Sequence, residues 1–288
     1  MQRCIGLLIL IVLVSASINV PSADAEEANE MDVHFIDVGQ GDSMLIQTPE
    51  GKNILIDAGP PKSGKNVTAF LKKHQVSQLD LVIATHPDID HIGGMAAVIK
   101  TFEIKKIMDI GKIHSTKTYA KYASQILKQQ IPLTIAEKNE LIKLDPYLKI
   151  RVLNAYEGPQ RNNAASIVLK LSFKDTDFLL MGDVGKDQEK RLMNNYNLDS
   201  DIIKVAHHGS RTSTSRKFLQ EVSPDMAILT YGEENKYGHP VDRVMTNLQD
   251  VDTAMYPTAM FGNITIRTNG ESVMIFQEKM PTDYLKAN

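Results

Sequence analysis

The 288-residue sequence contains a single cysteine, Cys4, so neither an intramolecular disulfide framework nor a cysteine-rich zinc module is possible. An excess of one charge is also lacking, because 32 basic residues stand against 35 acidic ones and leave a net charge of −3. That balance excludes the global positive field typical of nucleic-acid-binding proteins. Low-complexity tracts, short repeats and long linkers are absent, which favours one domain. What is present, 42% hydrophobic residues, is enough to bury a core.

The first 25 residues have the pattern of a secretory signal peptide. A basic start precedes an apolar run at residues 5–14, and residues 23–25 (Ala-Asp-Ala) form a cleavage pattern of small residues. The run is shorter than the roughly 20 residues that a membrane-spanning helix needs, although an uncleaved anchor is the alternative. We therefore expect a secreted, extracellular or cell-surface protein without stable membrane insertion. Residues 26–30 would form a flexible linker, and residues 31–288 the domain.

Short apolar or alternating runs, separated by turn residues, predict an α/β domain of two similar halves. Each half has adjacent strands first and alternating helices and strands afterwards. Strands are predicted at residues 33–38, 43–48, 53–57, 79–84, 148–156, 166–173, 177–181, 201–206 and 226–230. Helices are predicted at residues 67–74, 94–101, 119–129, 188–195, 215–221 and 241–248, and a closing β-hairpin at residues 259–277.

The most informative segment follows the apolar run at residues 79–84. His86, Asp88, Asp90 and His91 lie within six residues, between a predicted buried strand and a helix that opens with two glycines. Ligands this close in sequence reduce the entropy cost of assembling a metal site, and imidazole with carboxylate suits zinc, manganese or iron. A polar helix-capping loop is the alternative, which the density of potential ligands disfavours.

Six further segments accompany this motif in order between residues 31 and 240. They are residues 35–43 (FIDVGQGDS), 54–59 (ILIDAG), 162–166 (NNAAS), 180–183 (LMGD), 204–210 (KVAHHGS) and 237–240 (YGHP). With them the sequence resembles the metallo-β-lactamase fold hydrolases, and among these the hydrolase (nuclease) domain of competence DNA-uptake proteins of the ComEC/Rec2 type. The resemblance implies a single-domain, four-layer αββα sandwich.

The resemblance also implies a site for two divalent metal ions, Zn²⁺ or Mn²⁺, that activate a water molecule. His86 and Asp88 would bind one metal, and Asp90 and His91 the other. Asp183 corresponds to the carboxylate that bridges the two metals in the family. Asp90 is accordingly expected to take part in catalysis as well as in metal binding.

Two positions leave alternatives open. His207 is expected to be the last histidine ligand of the second metal because it directly follows a predicted strand, with His208 as the alternative. Asp57 matches a buried aspartate that orients the ligand loop in the family, with a turn residue at the end of a strand as the alternative. Many family members carry one more histidine where this sequence has Asn162 and Asn163, so the first metal would be held more weakly or completed by water. Because three of the expected ligands are carboxylates, we expect manganese as well as zinc.

Hydroxyl and guanidinium groups beside the predicted centre suit phosphate oxygens. The residues expected to contact substrate are Asn163, His208, Ser210 and Arg211. His239 is expected to donate a proton to the leaving group or to bind phosphate, with a structural role in the turn before Pro240 as the alternative.

These features predict a secreted metal-dependent phosphodiesterase, a nuclease acting on DNA. One alternative is a phosphorylcholine esterase, or another phosphoester hydrolase, that acts on cell-wall polymers. Another is a surface binding protein that has lost catalysis, which the six intact metal-ligand positions disfavour. DNA or another phosphodiester is the expected partner, and the sequence indicates no obligate protein partner.

Overall fold

The structure, a computed structural model, describes residues 30–280. The predicted signal peptide at residues 1–25 lies outside the described residues, as do residues 26–29 of the predicted linker. None of the helices between residues 30 and 280 combines the length and the apolar character that crossing a bilayer requires.

The described residues form seventeen strands and eight α-helices. The strands are β1 (Met31–Phe35), β2 (Met44–Gln47), β3 (Asn53–Ile56), β4 (Gln78–Leu79), β5 (Leu81–Ile83), β6 (Glu103–Ile104), β7 (Ile107–Asp109), β8 (Leu133–Ile135), β9 (Leu141–Ile142), β10 (Leu148–Asn154), β11 (Val168–Phe173), β12 (Thr176–Leu180), β13 (Ile202–Lys204), β14 (Met226–Leu229), β15 (Ala254–Pro257), β16 (Ile264–Thr268) and β17 (Val273–Gln277). The helices are α1 (Gly64–Lys73), α2 (Ile89–Ile92), α3 (Met95–Thr101), α4 (Lys117–Gln129), α5 (Lys186–Asn195), α6 (Arg216–Val222), α7 (Asp242–Gln249) and α8 (Thr258–Phe261).

Two large mixed sheets organise these elements. The first has the strand order β17-β16-β1-β2-β3-β5-β7-β8, and the second has the order β15-β14-β13-β12-β11-β10-β9. In each sheet an antiparallel set continues into parallel strands: β3, β5, β7 and β8 in the first sheet, and β12 to β15 in the second. Parallel neighbours need crossover connections. Helices α1, α3 and α4 supply them in the first sheet, and α5, α6 and α7 in the second.

Alternation of side chains along the strands explains the layers, because successive residues of a strand point to opposite faces of its sheet. Phe178 and Leu180 of β12 lie in the core between the two sheets, whereas Leu179 packs under the helices of the second half. In β3, Ile54 and Ile56 likewise face the central core while Leu55 faces the helices of the first half. The predicted αββα sandwich of two similar halves is therefore confirmed.

The structure contains strands that the sequence analysis did not predict, among them the edge strands β8, β9 and β15 and, inside the first sheet, the buried strand β7. The short strand β8 is missing from the prediction because Leu133 and Ile135 are exposed there and give no buried face to recognise. The predicted hairpin at residues 259–277 is shorter than expected. Helix α8 occupies residues 258–261, Gly262 with a φ of 67° ends it, and strand pairing begins only at Ile264.

The sheets bring potential metal ligands to one place. Asp57 directly follows β3, His86 follows β5, Asp183 follows β12 and His207 follows β13. All four strands are parallel members of their sheets, and ligands in α/β folds commonly bind at the carboxyl ends of such strands.

The central core should dominate stability. Phe178 is fully buried between the sheets, whereas Phe276 on the edge strand β17 is 48% exposed. We expect Phe178→Ala to lower the free energy of unfolding by about 3–5 kcal/mol, because it leaves a cavity that the sheets cannot close. Phe276→Ala should cost less than about 1 kcal/mol. Denaturant unfolding of both variants measures the difference, and equal losses would contradict this account of the core.

Candidate metal centre

The ligand loop between β5 and α2 packs against the turn that follows β3. Gly94 donates its backbone N–H to the Gly59 carbonyl at 2.9 Å. A Cβ atom on Gly94 would lie 2.1 Å from the Ala58 carbonyl oxygen, so only glycine permits this approach. The two glycines that follow the histidine–aspartate motif are therefore needed to seat the loop on the first sheet.

The Asp57 carboxylate holds the ligand loop in place through hydrogen bonds. Its carboxylate accepts hydrogen bonds from the Thr85 backbone N–H at 2.9 Å, from the Thr85 hydroxyl at 2.6 Å and from His91 Nδ1 at 2.8 Å. His91 therefore donates through Nδ1 and directs Nε2 away from Asp57. The structure thus places Asp57 where the sequence predicted an orienting carboxylate, and the φ of 56° at Asp57 is the backbone cost of that position.

Asp183 lies at the middle of the site, with four histidine side chains around it. It lies in the turn after β12 and is buried, and its backbone N–H donates to Ser166 Oγ at 3.2 Å. Four histidine Nε2 atoms lie within 3.8 Å of its Oδ2 atom. The distances are 3.3 Å for His91, 3.7 Å for His207, 3.7 Å for His208 and 3.8 Å for His86.

The two remaining carboxylates divide these imidazoles into two groups. Asp88 Oδ2 lies 3.6 Å from His86 Nε2, and Asp90 Oδ2 lies 3.5 Å from His208 Nε2. Asp90, His91 and His208 offer ligand atoms within 4.8 Å of one another, as do His86, His91 and Asp183. His91 belongs to both of these sets, and Asp183 Oδ2 lies 3.8 Å from His86 Nε2 and 3.7 Å from His208 Nε2, where a bridging carboxylate would lie.

The structure places the rings of His207 and His208 differently from the arrangement that the sequence predicted. Both residues have left-handed backbones, with φ of 51° and 54°, so the chain reverses locally and turns both rings toward Asp183. His208 is buried and is the histidine beside Asp90. His207 contacts the Asn163 side chain, and the adjacent Asn162 donates to Asp88 at 2.6 Å. His207 therefore lies toward the Asp88 group, and His208 takes the position that the sequence analysis preferred for His207.

Each imidazole is oriented by a hydrogen bond at Nδ1, which leaves Nε2 to face Asp183. Protein metal ligands are held in the same way, by a partner on the other ring nitrogen. The partners are the Asp57 carboxylate for His91, the Thr230 carbonyl for His208, the Thr85 hydroxyl for His86 and the Thr212 hydroxyl for His207.

The donor set fits divalent metal ions. Among residues 30–280, the Nε2 atoms of His86, His91 and His208 and the Oδ1 atom of Asp183 are buried without a hydrogen-bond partner. Buried polar atoms are costly unless they are satisfied, so the convergence of these atoms fits a site that binds cations. Mixed imidazole and carboxylate ligands suit zinc and manganese.

Charge coupling in the centre is strong. Burial alone would lower the pKa of His91 and His208, but nearby carboxylates outweigh it, with Asp183 the largest contributor to both. The pKa of His91 is raised well above its usual value, and that of His208 is raised to about 9. Burial would raise the pKa of Asp183, yet His91 and His208 hold it well below the usual value. Without metal, protons therefore balance the buried carboxylate charge.

An open cavity of about 420 Å³ leads to the centre. It is lined by Gln40, Asp88, Asp90, Asn163, Asp183, His207, His208, Tyr237 and His239. Of the residues predicted to contact substrate, Asn163 and His208 line it. Ser210 does not line it: its side chain is buried and its hydroxyl hydrogen-bonds to Thr212. Arg211 is exposed and does not line the cavity either.

His239 lines the cavity, and burial is the first cause that lowers its pKa to about 4, followed by the neighbouring His207 and His208. It is therefore neutral at pH 7 in the absence of substrate. A neutral imidazole keeps one N–H group that can donate to a phosphate oxygen.

Several residues of the centre have no assigned role in the sequence analysis. Gln40 and Tyr237 line the cavity, and Thr212 orients His207. Asp42 and Lys204 form a buried ion pair behind His208. For Lys204 a signal was available, because a lysine within the apolar run at residues 202–206 must find a buried partner.

Comparisons with known proteins agree with this geometry. Residues 36–232 match the sequence profile of the Metallo-beta-lactamase superfamily. The chain is 30% identical over 259 residues to ComE operon protein 3 of Bacillus subtilis (strain 168), covering 83% of this chain and 33% of that protein. It is 28% identical over 257 residues to Competence protein ComA of Neisseria gonorrhoeae, covering 86% of this chain and 34% of that protein.

The chain thus spans about a third of the length of these curated relatives. Among solved structures, the metallo-beta-lactamase fold protein YhfI from Bacillus subtilis superposes with a TM-score of 0.54 at 12% identity, covering 86% of this chain and 100% of that one. At such identity the likeness concerns the fold alone.

The division of the imidazoles can be tested by metal content. We expect His208→Gln to weaken the binding of one metal ion, because it removes a ligand beside Asp90. The loss of affinity should exceed the roughly 10–100-fold that loss of an outer partner costs. His207→Gln should weaken the other metal. Elemental analysis and calorimetric titration measure both, with His114→Gln as a control outside the centre. Loss of the same metal in both variants would contradict the division.

Metal affinity should increase with pH. Metal binding requires neutral imidazoles, while the metal-free protein keeps His208 protonated up to about pH 9. From about pH 6 to about pH 9, apparent affinity should rise about tenfold per pH unit for each proton released. Calorimetry in buffers of different ionisation enthalpy measures the released protons. Affinity independent of pH across this interval would show that the imidazoles are not the ligands.

Proposed function

This chain belongs to the metallo-β-lactamase superfamily, and we propose that it is a secreted metal-dependent phosphodiesterase that cleaves DNA. The observation that carries the proposal is the convergence of four imidazoles on the Asp183 carboxylate, with Asp88 and Asp90 beside two of these rings, in a chain related to competence proteins. The resemblance of the sequence to a nuclease domain supports DNA as the substrate. The signal-like residues 1–25 support export.

We propose two bound ions, zinc or manganese. His86, Asp88 and His207 would hold one, Asp90, His91 and His208 the other, and Asp183 both. Divalent ions in such a centre lower the pKa of water and stabilise attacking and leaving oxygens of a displacement. Asp57 would keep the His91 ring aligned, and the Thr230 carbonyl would do the same for His208.

The cavity supports a phosphodiester as the bound group. It is open to solvent on the side where Asp88 and Asp90 are partly exposed, so a long polymer need not be enclosed. His239 and Asn163 offer N–H donors suited to phosphate oxygens. Arg211 lies close enough to lower the pKa of His239, and would add positive charge at the rim.

A phosphorylcholine ester of a cell-wall polymer is the second candidate. Tyr237 lines the cavity and is more than half exposed, and an aromatic face can bind a quaternary ammonium group by cation–π attraction. The net charge of −3 also gives no general attraction to nucleic acid.

A substrate panel tests the proposal. With manganese or zinc, the protein should cleave plasmid DNA and a bis-aryl phosphodiester. Asp183→Asn should lower both rates by more than about 100-fold, since it removes the carboxylate that faces all four imidazoles. Asp250→Asn, at the surface beside Arg216, is the control and should leave both rates unchanged.

The panel also separates the alternatives. Cleavage of a choline phosphodiester without cleavage of DNA would replace the proposed substrate by the wall polymer. Stoichiometric bound metal with no hydrolysis of any ester would instead indicate a binding protein.

A further inference from the structure

A buried ion pair lies behind the candidate centre. Asp42 comes from the turn between β1 and β2, and Lys204 is the last residue of β13. Both side chains are fully buried, and Lys204 Nζ lies 2.7 Å from Asp42 Oδ2. The pair therefore joins the first sheet to the second directly beneath the metal-binding edge.

The Asp42 carboxylate lies near the Nδ1 atoms of two imidazoles, those of His208 and His91. Its Oδ1 atom lies 3.3 Å from His208 Nδ1 and accepts a short hydrogen bond from the Thr230 hydroxyl. Its Oδ2 atom lies 4.0 Å from His91 Nδ1. The Thr230 carbonyl is also the acceptor for His208 Nδ1, so Asp42 holds both His208 and the group that orients it.

The backbone of Asp42 reaches the ligand loop as well. Its N–H donates to the Asp90 carbonyl at 3.2 Å, and its carbonyl accepts from the Gly59 N–H at 2.8 Å. A Cβ atom on the preceding Gly41 would lie 2.3 Å from that Asp90 carbonyl, so the turn can approach only with glycine there. Asp42 thus touches the segments that carry Asp90, His91 and His208.

Stability alone does not explain the pair. Desolvating two charges costs several kcal/mol per ion, and replacing buried ion pairs by apolar residues is often neutral or stabilising. Lys204 donates one further hydrogen bond, to the Val205 carbonyl at 3.0 Å. The residues beside Lys204 on the neighbouring strands, Leu180 and Ile228, are apolar and buried.

We propose that Asp42 and Lys204 are positioning residues for the metal at Asp90, His91 and His208. The pair locks the turn after β1 to the end of β13, and this fixes the His208 ring opposite Asp90. Asp57 performs the corresponding task for His91 directly and for His86 through the Thr85 hydroxyl. The inference rests on the metal centre of the proposed function, and it is independent of the substrate.

The test uses the full chain with Asp42→Asn and Lys204→Met, singly and together. Each single variant leaves one buried charge unpaired and should be destabilised by far more than the double variant. The double variant removes both charges, so its metal-free stability should lie close to that of the wild type. Asp80→Asn with Lys105→Met is the matched control, because that ion pair of 2.9 Å lies outside the centre.

Calorimetric titration with Zn²⁺ and Mn²⁺ gives the affinity of each metal. We expect the double variant to bind one of two metals about 10–100-fold more weakly and the other unchanged, as for loss of an outer-shell partner. The absorption spectrum of the Co²⁺-substituted protein should change for the same metal only. The control pair should alter neither readout.

Three outcomes would overturn the inference. The double variant could bind both metals as tightly as the wild type, or both could weaken equally. It could also fail to fold without metal, in which case the pair is a requirement of the fold. Failure of the wild type to bind any metal would instead remove the proposed function.

Discussion

Attraction between the buried Asp183 carboxylate and the imidazoles around it is the interaction on which the site depends. Four Nε2 atoms lie within 3.8 Å of one Asp183 oxygen, and three of these rings are buried. Polar groups at such density are unfavourable in a protein interior unless a cation or protons balance them. The sandwich accepts this arrangement because the ends of two sheets meet there, and neither sheet could assemble the set alone.

The two halves contribute unequal parts of the centre. The first half supplies a rigid loop, in which His86 and His91 are held through Thr85 and Asp57 within one sheet. The second half supplies Asp183 and the paired histidines from two neighbouring parallel strands. Contacts across the halves, such as that between Asp42 and Lys204, determine whether the two parts meet at ligand distances.

How far the sequence predicts this site depends on whether its determinants are local. The His86–His91 ligands are contiguous, so their grouping could be predicted, and the family motifs identified Asp183. The sequence favours His207 over His208, whereas the structure brings both rings to Asp183, because two consecutive left-handed residues reverse the chain there. Asp42 and Thr230 act only through long-range contacts. The Ser210 hydroxyl has suitable chemistry for binding phosphate. In the structure, however, the side chain is buried and the hydroxyl hydrogen-bonds to Thr212.

Two adjacent asparagines, Asn162 and Asn163, contribute side-chain contacts to the candidate metal centre. The Asn162 amide donates a hydrogen bond to Asp88, and the Asn163 amide contacts His207. Each asparagine therefore helps to position one candidate metal ligand. The ring of His207 reaches Asp183 from the opposite half of the chain. Left-handed backbone at two adjacent histidines costs on the order of 1–3 kcal/mol for each residue, which persists only where the surroundings enforce it. In this conformation both histidine rings after β13 reach Asp183, and they complete the set of four imidazoles.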